Sequence, residues 1–256
     1  ICKEKLTMNF KEIIINNSKK AYEMYVPHIS VDTVIFGFNG DQLKVLLLKM
    51  KFNHQYFLPG GYMKKDENLE SAAIRILRER TQLDKIFLQE FAVFSELNRS
   101  EEAFKDFPDD LWHKKRFISV GYYALVNHKD VSPIGDELSE SCDWIILDEL
   151  ESQNITMDHK QIIEKALNTL REQISYKPIG LNLLPEKFTL SEFQKLYEAI
   201  LGRTLNRGNF YRKIKNIGIL KKLDEKRKGG AHKAPDLYTF DQENYFKILE
   251  NGINNW

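Results

Sequence analysis

Residues 61–67 of this chain read Gly-Tyr-Met-Lys-Lys-Asp-Glu, and residues 69–83 read Leu-Glu-Ser-Ala-Ala-Ile-Arg-Ile-Leu-Arg-Glu-Arg-Thr-Gln-Leu. The second stretch repeats apolar residues at the i, i+3, i+4, i+7 and i+8 positions that form one face of a helix. A helix packed on a sheet shows this stripe in any α/β protein, so the stripe alone indicates only a fold class. Its members are Leu69, Ala72, Ala73, Ile76 and Leu77.

The glycine and the charged residues around this helix have a more specific spacing. Gly61, Glu67 and Arg75 match the register of a Nudix box, whose pattern is Gly, five residues, Glu, seven residues and then Arg-Glu-apolar-any-Glu-Glu-any-Gly. A β-rich run before the helix and strands after it are the context that such a motif requires. The stretch therefore resembles a Nudix box, and the resemblance implies a Nudix-type fold.

Hydrolysis by a Nudix box depends on carboxylates that this chain mostly lacks. Three carboxylates at i, i+3 and i+4 lie on one helix face, where they hold divalent cations such as Mg²⁺ against a substrate diphosphate. Ile76 and Arg80 replace two of them, and only Glu79 remains. The charge of Arg80 would also repel a cation. We therefore expect that the chain is not an enzyme and has no catalytic residues, metal ligands or cofactor.

Composition predicts a globular protein of two domains. The chain has 256 residues, of which 42% are hydrophobic and 29% charged. This length typically holds one domain of about 150 residues and a smaller one. No apolar run approaches the ~18 residues of a membrane helix, and the N-terminal residues lack a signal-peptide core. We expect a cytoplasmic protein without a membrane partner.

The first part of the chain reads as a mixed sheet between helices. Asn39-Gly40-Asp41 predicts a hairpin between strands 30–38 and 43–50, because Asn-Gly favours such turns. A second amphipathic helix begins at Asp158-His159. Residues 100–114 (SEEAFKDFPDDLWHK) interrupt the strands as a long acidic loop that could be a lid or an interface, but which we interpret as a passive surface excursion. Further strands are predicted over residues 86–96, 116–126 and 142–146.

The last part of the chain has the element order of a winged helix-turn-helix. Thr189 and Glu192 form a predicted capping box, with Phe188 and Phe193 as its hydrophobic staple. Asn206 is placed to cap a second helix, and two short strands follow, over residues 219–223 and 237–240. Predicted core residues of the two helices are Phe193, Leu196, Tyr197, Ile200, Phe210 and Ile214, and Gly202 and Gly218 are predicted to end them.

Charge separates the two parts. Residues 177–256 carry a net charge of +6 and residues 1–176 carry −5, which is typical of a basic domain that meets a polyanion. Arginine suits guanine edges and asparagine suits adenine, whereas lysines of a wing more naturally meet phosphate. We predict that duplex DNA contacts Arg207, Asn209, Arg212 and Lys213 of the second helix and Lys226, Arg227, Lys228 and Lys233 of the wing.

Segments along most of the chain resemble Nudix-related bacterial transcriptional regulators, and within them the sugar-responsive branch that includes an arabinose-responsive repressor. The resemblance rests on residues 33–39, 60–61 with 66–67, 119–125, 178–185, 188–190 and 196–200. It implies an α/β (α+β) chain with a Nudix-like α/β/α sandwich over 28–176 that senses a small effector and a winged helix over 177–256 that binds an operator. It also implies a homodimer. This chain departs from the family pattern in its longer N-terminal extension, over 1–27, and in the 100–114 insertion.

The effector pocket is expected in the cleft over the box helix, beside the loop that precedes the box. Polar residues can orient a sugar there, and an aromatic face can pack on it. A pentose is the favoured effector and ADP-ribose the alternative. A second alternative, a Nudix hydrolase of nucleoside diphosphates, would need Glu67 and Glu79 with Glu70 or Glu96 as a rebuilt metal site. The predicted effector-binding residues are Asp32, Lys49, Phe57, Glu79, Glu96 and Arg99.

Overall fold

A computed structural model describes residues 2–83, 87–100, 102–227 and 234–253, with side chains from residue 12 onward. Its helices are α1 Cys2–Met24, α2 Leu69–Thr81, α3 His159–Gln173, α4 Leu190–Leu201, α5 Arg207–Ile217 and α6 Gln242–Asn251. Its strands are β1 Tyr25–Phe38, β2 Leu43–Met50, β3 Tyr56–Phe57, β4 Gly60–Lys64, β5 Phe87–Phe94, β6 Ile118–Asn127, β7 Ser139–Ile146, β8 Leu220–Lys226 and β9 Asp236–Phe240. Backbone proximity divides the chain into two compact units, one of residues 1–36, 45–124 and 131–166 and the other of residues 37–44, 125–130 and 167–256.

The first unit is built on a seven-stranded sheet with the order β3-β2-β1-β6-β5, in which β4 also pairs with β1 and β7 with β2. The predicted hairpin is confirmed, since β1 and β2 are neighbours and the Asn39 side chain accepts hydrogen bonds from the backbone N–H groups of Asp41 and Gln42. β4 runs antiparallel to β1, with Gly61 opposite Val31. This pairing brings the first box residues against the central strand.

The box helix α2 forms as its apolar stripe predicts. The Asn68 side chain caps its first turn by accepting a hydrogen bond from Ser71 N–H at 2.8 Å. Ala72, Ala73 and Ile76 are buried together with Val31 of β1, so the stripe packs on the sheet. A Cβ atom at Gly61 would lie 3.1 Å from Ile76 Cδ1. Glycine at the start of the box therefore permits the close packing of β4 on α2.

The N-terminal extension is a helix, and residues 102–114 pack on it. Ile14 of α1 is fully buried in one cluster with Phe104, Phe107 and Leu111. The backbone N–H of Trp112 donates a 2.8 Å hydrogen bond to Ser18 Oγ of α1. The interpretation of residues 100–114 as a passive surface excursion is therefore wrong, because their apolar side chains form a core with a helix that the sequence patterns did not reveal.

The second unit contains the predicted winged helix. The capping box of Thr189 and Glu192 is present, and the rings of Phe188 and Phe193 pack edge to face with centroids 5.5 Å apart. Asn206 caps α5, and Gly202 and Gly218 end α4 and α5 at positive φ. β8 and β9 pair antiparallel, and α6 follows as an element that was not predicted. Within the described parts of the chain, no helix is long and apolar enough to cross a membrane.

Candidate ligand pocket and nucleic-acid interface

A cavity of about 260 Å³ lies in the first unit beside the start of the box. Its floor comes from strands of the sheet, including Asp32 of β1 and Leu48 and Met50 of β2. Gly60, Gly61 and Tyr62 of β4 line it next to the box. The cavity lies beside the loop that precedes the box, as expected, but none of its lining residues belongs to the box helix α2. It has a polar portion and an apolar portion that offer different chemistry.

The polar portion is a buried charge network around Arg99. Its guanidinium donates to Asp158 Oδ1 at 2.9 Å and to Asp32 Oδ2 at 3.2 Å, and all three side chains are at least 86% buried. Ser119 Oγ donates a further bond of 2.6 Å to Asp32. Burial alone would lower the pKa of Arg99, but its bonds to Asp158 and the charges of both carboxylates raise that pKa overall. The network fixes Asp32 and Arg99 in place before any ligand enters.

His159 completes the network in a defined tautomer. The Leu58 N–H donates to His159 Nδ1 at 3.0 Å, so the ring proton of the neutral imidazole lies on Nε2. Nε2 is 3.9 Å from Asp32 Oδ1. Burial lowers the pKa of His159, and the nearby Asp32 charge opposes that shift only in part. The cavity therefore contains an uncharged N–H donor beside a carboxylate, a combination suited to hydroxyl groups.

Arg116 adds a cation with different surroundings. It lines the cavity, is exposed, and donates one 3.3 Å hydrogen bond to the Ser95 carbonyl. Among the described residues it forms no ion pair with a carboxylate, in contrast to Arg99. An arginine in that state remains free to bind a phosphate oxygen.

Four of the predicted effector-binding residues come together in this cavity: Asp32, Phe57, Glu96 and Arg99. Lys49 and Glu79 do not line it. Lys49 lies between Leu48 and Met50, and since side chains alternate along a strand it points to the other face of β2, where it pairs with Glu140 at 3.6 Å. Glu79 is about half exposed on α2 and faces Arg75.

The box residues make structural contacts rather than ligate a metal. Arg75 donates to Glu67 at 2.6 Å, and this hydrogen bond, acting against the effect of burial, lowers the pKa of Glu67. Ile76 is 1% exposed in the core. Arg80 Nη2 bonds to Asp136 at 2.8 Å, so a carboxylate already neutralises the positive charge in the box. Among the described residues, no three His, Cys, Asp or Glu side chains are grouped as metal ligands would be.

The outer face of α5 carries the predicted base-reading residues. Phe210 and Ile214 are buried, whereas Arg207, Asn209, Arg212 and Lys213 are all exposed. Arg212 donates to the Asn209 side chain at 3.0 Å, and the Arg207 guanidinium lies 5.1 Å from the Tyr211 ring centroid. The helix thus presents four exposed polar or cationic side chains.

The wing residues differ in what they contact. Lys226 is exposed and has no ion-pair partner within the described part of the chain. Arg227, directly after β8, is bonded to Glu192, the carboxylate that also caps α4. Lys228 and Lys233 lie outside the described residues. Arg227 is therefore engaged inside the winged helix, where it ties the wing to the start of α4.

Several residues of the cavity were missed by sequence reasoning. Ser119, Asp158 and His159 belong to the polar network, and Arg116 and His113 line the cavity. Asp158 was noted only as a helix start, and a network that joins residues 59 and more positions apart leaves no local pattern in the sequence.

Comparison with known proteins links both parts to described families. The model of the NUDIX domain matches residues 26–166, and that of the NrtR DNA-binding winged helix domain matches residues 180–240. The chain is 29% identical over 224 residues to an Acinetobacter baylyi protein named "ADPR responsive transcriptional repressor NtrR", with 86% of this chain and 84% of the relative covered.

Solved structures of an NrtR protein and of a Nudix protein are also similar to this chain. Shewanella oneidensis NrtR superposes with a TM-score of 0.70 at 26% identity, covering 85% of this chain and 96% of that one. A MutT/nudix family protein from Enterococcus faecalis gives a TM-score of 0.64 at 22% identity over 84% and 87% of the two chains, which shows the fold alone. These matches support the resemblance to Nudix-related transcriptional regulators, but they do not support the resemblance to the sugar-responsive branch of those regulators.

Proposed function

Because the chain belongs to the NUDIX domain family and continues into an NrtR-type winged helix, we propose that it is a transcriptional repressor whose Nudix domain binds ADP-ribose. The observation that carries this proposal is the match over both domains to a relative named as responsive to ADP-ribose. ADP-ribose, the earlier alternative, replaces the pentose as the effector.

DNA binding is supported by the accessible face of α5 and by the matched domain. Arg212 and Asn209 are exposed on the second helix of the helix-turn-helix, the element that enters the major groove in this architecture. Lys226 is placed on the wing, where lysines meet phosphates. These residues, with Arg207 and Lys213, form the proposed DNA-binding surface.

ADP-ribose suits the two portions of the cavity better than a pentose does. Asp32 and His159 offer an acceptor and a donor to ribose hydroxyls. Arg116 has no carboxylate partner among the described residues and can therefore bind the diphosphate. A pentose would leave the cation and the apolar portion without a ligand group, so the larger molecule buries more of the site.

We further propose that the chain does not hydrolyse its ligand. Ile76 is buried and Arg80 is paired with Asp136, so two positions of the box contribute no carboxylate. Losing preorganised charge stabilisation of this kind costs on the order of several kcal/mol per element. Phosphate release from ADP-ribose with Mg²⁺ or Mn²⁺ checks this: turnover of about 1 per second or faster would show an enzyme.

The homodimer and the division into residues 1–27, 28–176 and 177–256 are part of the same proposal. A single chain has a mass of 30.1 kDa, so light scattering during gel filtration separates monomer from dimer directly. Palindromic operators match the symmetry of a dimer, with half-sites about one helical turn apart.

A gel-shift titration of the full chain tests the regulatory proposal. The probe is the DNA upstream of its own gene, and the competitor is an unrelated fragment of equal length. We expect binding to the upstream fragment and its release by ADP-ribose but not by arabinose or xylose. Retention of DNA at saturating ADP-ribose, or release by a pentose, would contradict the proposal.

A further inference from the structure

The cavity has a third boundary, formed by helix α1 and the 102–114 segment. Ile14 of α1, Phe104 and His113 line it on one side, and we call these three residues the outer wall. α1 ends at Met24, before the NUDIX match begins at residue 26. Ile14 of the outer wall therefore lies outside the matched NUDIX range, whereas Phe104 and His113 lie within it.

The outer wall is held firmly. Ile14 and Phe104 are buried in one cluster with Phe107 and Leu111. The Trp112 N–H bond to Ser18 joins the 102–114 segment to α1. The C-terminal end of α1 is held as well, since Lys65 N–H donates to the Met24 carbonyl at 3.1 Å. A wall held by these contacts presents a preformed surface to a ligand.

The chemistry of the outer wall is aromatic and uncharged. The rings of Phe104 and His113 lie with centroids 5.3 Å apart at an angle of 37°. Burial lowers the pKa of His113 to about 4, so the imidazole is neutral at physiological pH. On the side of the sheet, Leu48, Met50 and Phe57 form an apolar cluster that also lines the cavity.

The apolar portion and the polar network are adjacent. Phe57 belongs to the apolar cluster, and its ring packs against His159 with centroids 5.5 Å apart. A ligand that places a sugar at Asp32 and His159 therefore extends a neighbouring group along Phe57 towards the outer wall. Planar rings gain from both faces of such a slot, because aromatic and aliphatic side chains stack on any base.

We infer that the outer wall, with Met50 and Phe57, is a nucleobase subsite that makes this chain select nucleotide effectors over sugar phosphates. This inference rests on the proposed binding of ADP-ribose and adds the residues that recognise its base. α1 and the 102–114 segment thus act in ligand selection. The polar network binds the part of the ligand that ribose phosphates share.

Calorimetry on the full chain with AMP and ribose 5-phosphate tests the subsite, because these two ligands differ only by adenine. We expect the wild type to bind AMP at least about tenfold more tightly, as stacking of one base provides. Phe104→Leu and His113→Ala should remove most of this difference and weaken ADP-ribose binding about tenfold. Phe107→Leu is the matched control, since Phe107 shares the cluster but does not line the cavity.

The outcomes separate the subsite from the function. If the wild type binds ADP-ribose and neither Phe104→Leu nor His113→Ala changes its affinity, the subsite is wrong and the proposed function stands. Equal affinities for AMP and ribose 5-phosphate also overturn the subsite, as does an equal effect of Phe107→Leu. If the wild type does not bind ADP-ribose, both proposals fail. Thermal melts of each variant establish that it is folded at the titration temperature.

Discussion

Replacing Arg99 with methionine should destabilise the first unit strongly. The Arg99 side chain is 7% exposed, and its removal leaves the carboxylates of Asp32 and Asp158, 12% and 14% exposed, without their shared cation. Removing one partner from a buried ion pair costs about 3–5 kcal/mol, because the remaining charge has lost its solvent and its counter-ion. At roughly 2–4 °C per kcal/mol, we expect the melting temperature to fall by about 10 °C.

The assay is differential scanning calorimetry at neutral pH, with Arg116→Met as the control. Arg116 lines the same cavity, but it is exposed and has no carboxylate partner in the described residues, so its replacement should shift melting by no more than about 2 °C. The double variant Arg99→Met with Asp158→Asn should recover part of the loss, since one unpaired charge is removed. Equal melting temperatures for the two single methionine variants would refute the reasoning.

Three further predictions address pH, the wing and DNA. His113→Phe should flatten the dependence of melting temperature on pH. Burial lowers the pKa of His113 from 6.5 in the unfolded chain to about 4 in the folded chain, so the unfolded chain takes up the proton at a higher pH than the folded chain does. The contribution of neutral His113 to stability is therefore complete above pH 6.5 and is lost as the pH falls towards 4. An unchanged pH profile would contradict this. Glu192→Ala should destabilise the winged helix by about 1–2 kcal/mol and weaken DNA binding, because it removes the cap of α4 and the contact with Arg227. The control Glu225→Ala breaks only an exposed pair with Lys187 and should change neither property. Equal unfolding midpoints and DNA affinities for the two variants would refute this role of Glu192. Arg212→Ala should lower the discrimination between operator and unrelated DNA by about 1–3 kcal/mol. Lys226→Ala should weaken binding to both DNAs and reduce the slope of log affinity against log salt concentration by about one. Identical affinities and salt slopes for the two variants in fluorescence anisotropy would rule out these roles.

The local patterns of the sequence predicted local structure well. Thr189 and Glu192 are three residues apart, and every contact that makes them a capping box lies within that turn. The stripe on α2 likewise depends on spacing inside one helix. Such features need no knowledge of distant parts of the chain, which explains why the helix ends at Gly202 and Gly218 were also predicted.

Contacts between distant segments were not predictable in the same way. Asp32, Arg99 and Asp158 meet only after the sheet and α3 have formed. Lys49 was placed at the cavity by the sequence, because a strand pattern does not say which of its two faces borders the cavity. α1 was missed because its buried side includes Ser18, which interrupts the apolar stripe of Ile14 and Ala21. Ser18 can be buried because its hydroxyl accepts a hydrogen bond from the Trp112 N–H.

We propose that ADP-ribose and DNA bind to the same chain in opposition. Linkage makes this opposition measurable as a change in the affinity for ADP-ribose. Calorimetry with ADP-ribose should be done on the full chain alone and on the chain saturated with the upstream DNA fragment. A coupling of about 2.7 kcal/mol predicts that DNA weakens ADP-ribose binding about a hundredfold, the same factor by which ADP-ribose weakens DNA binding. Equal affinity for ADP-ribose with and without bound DNA would contradict the account.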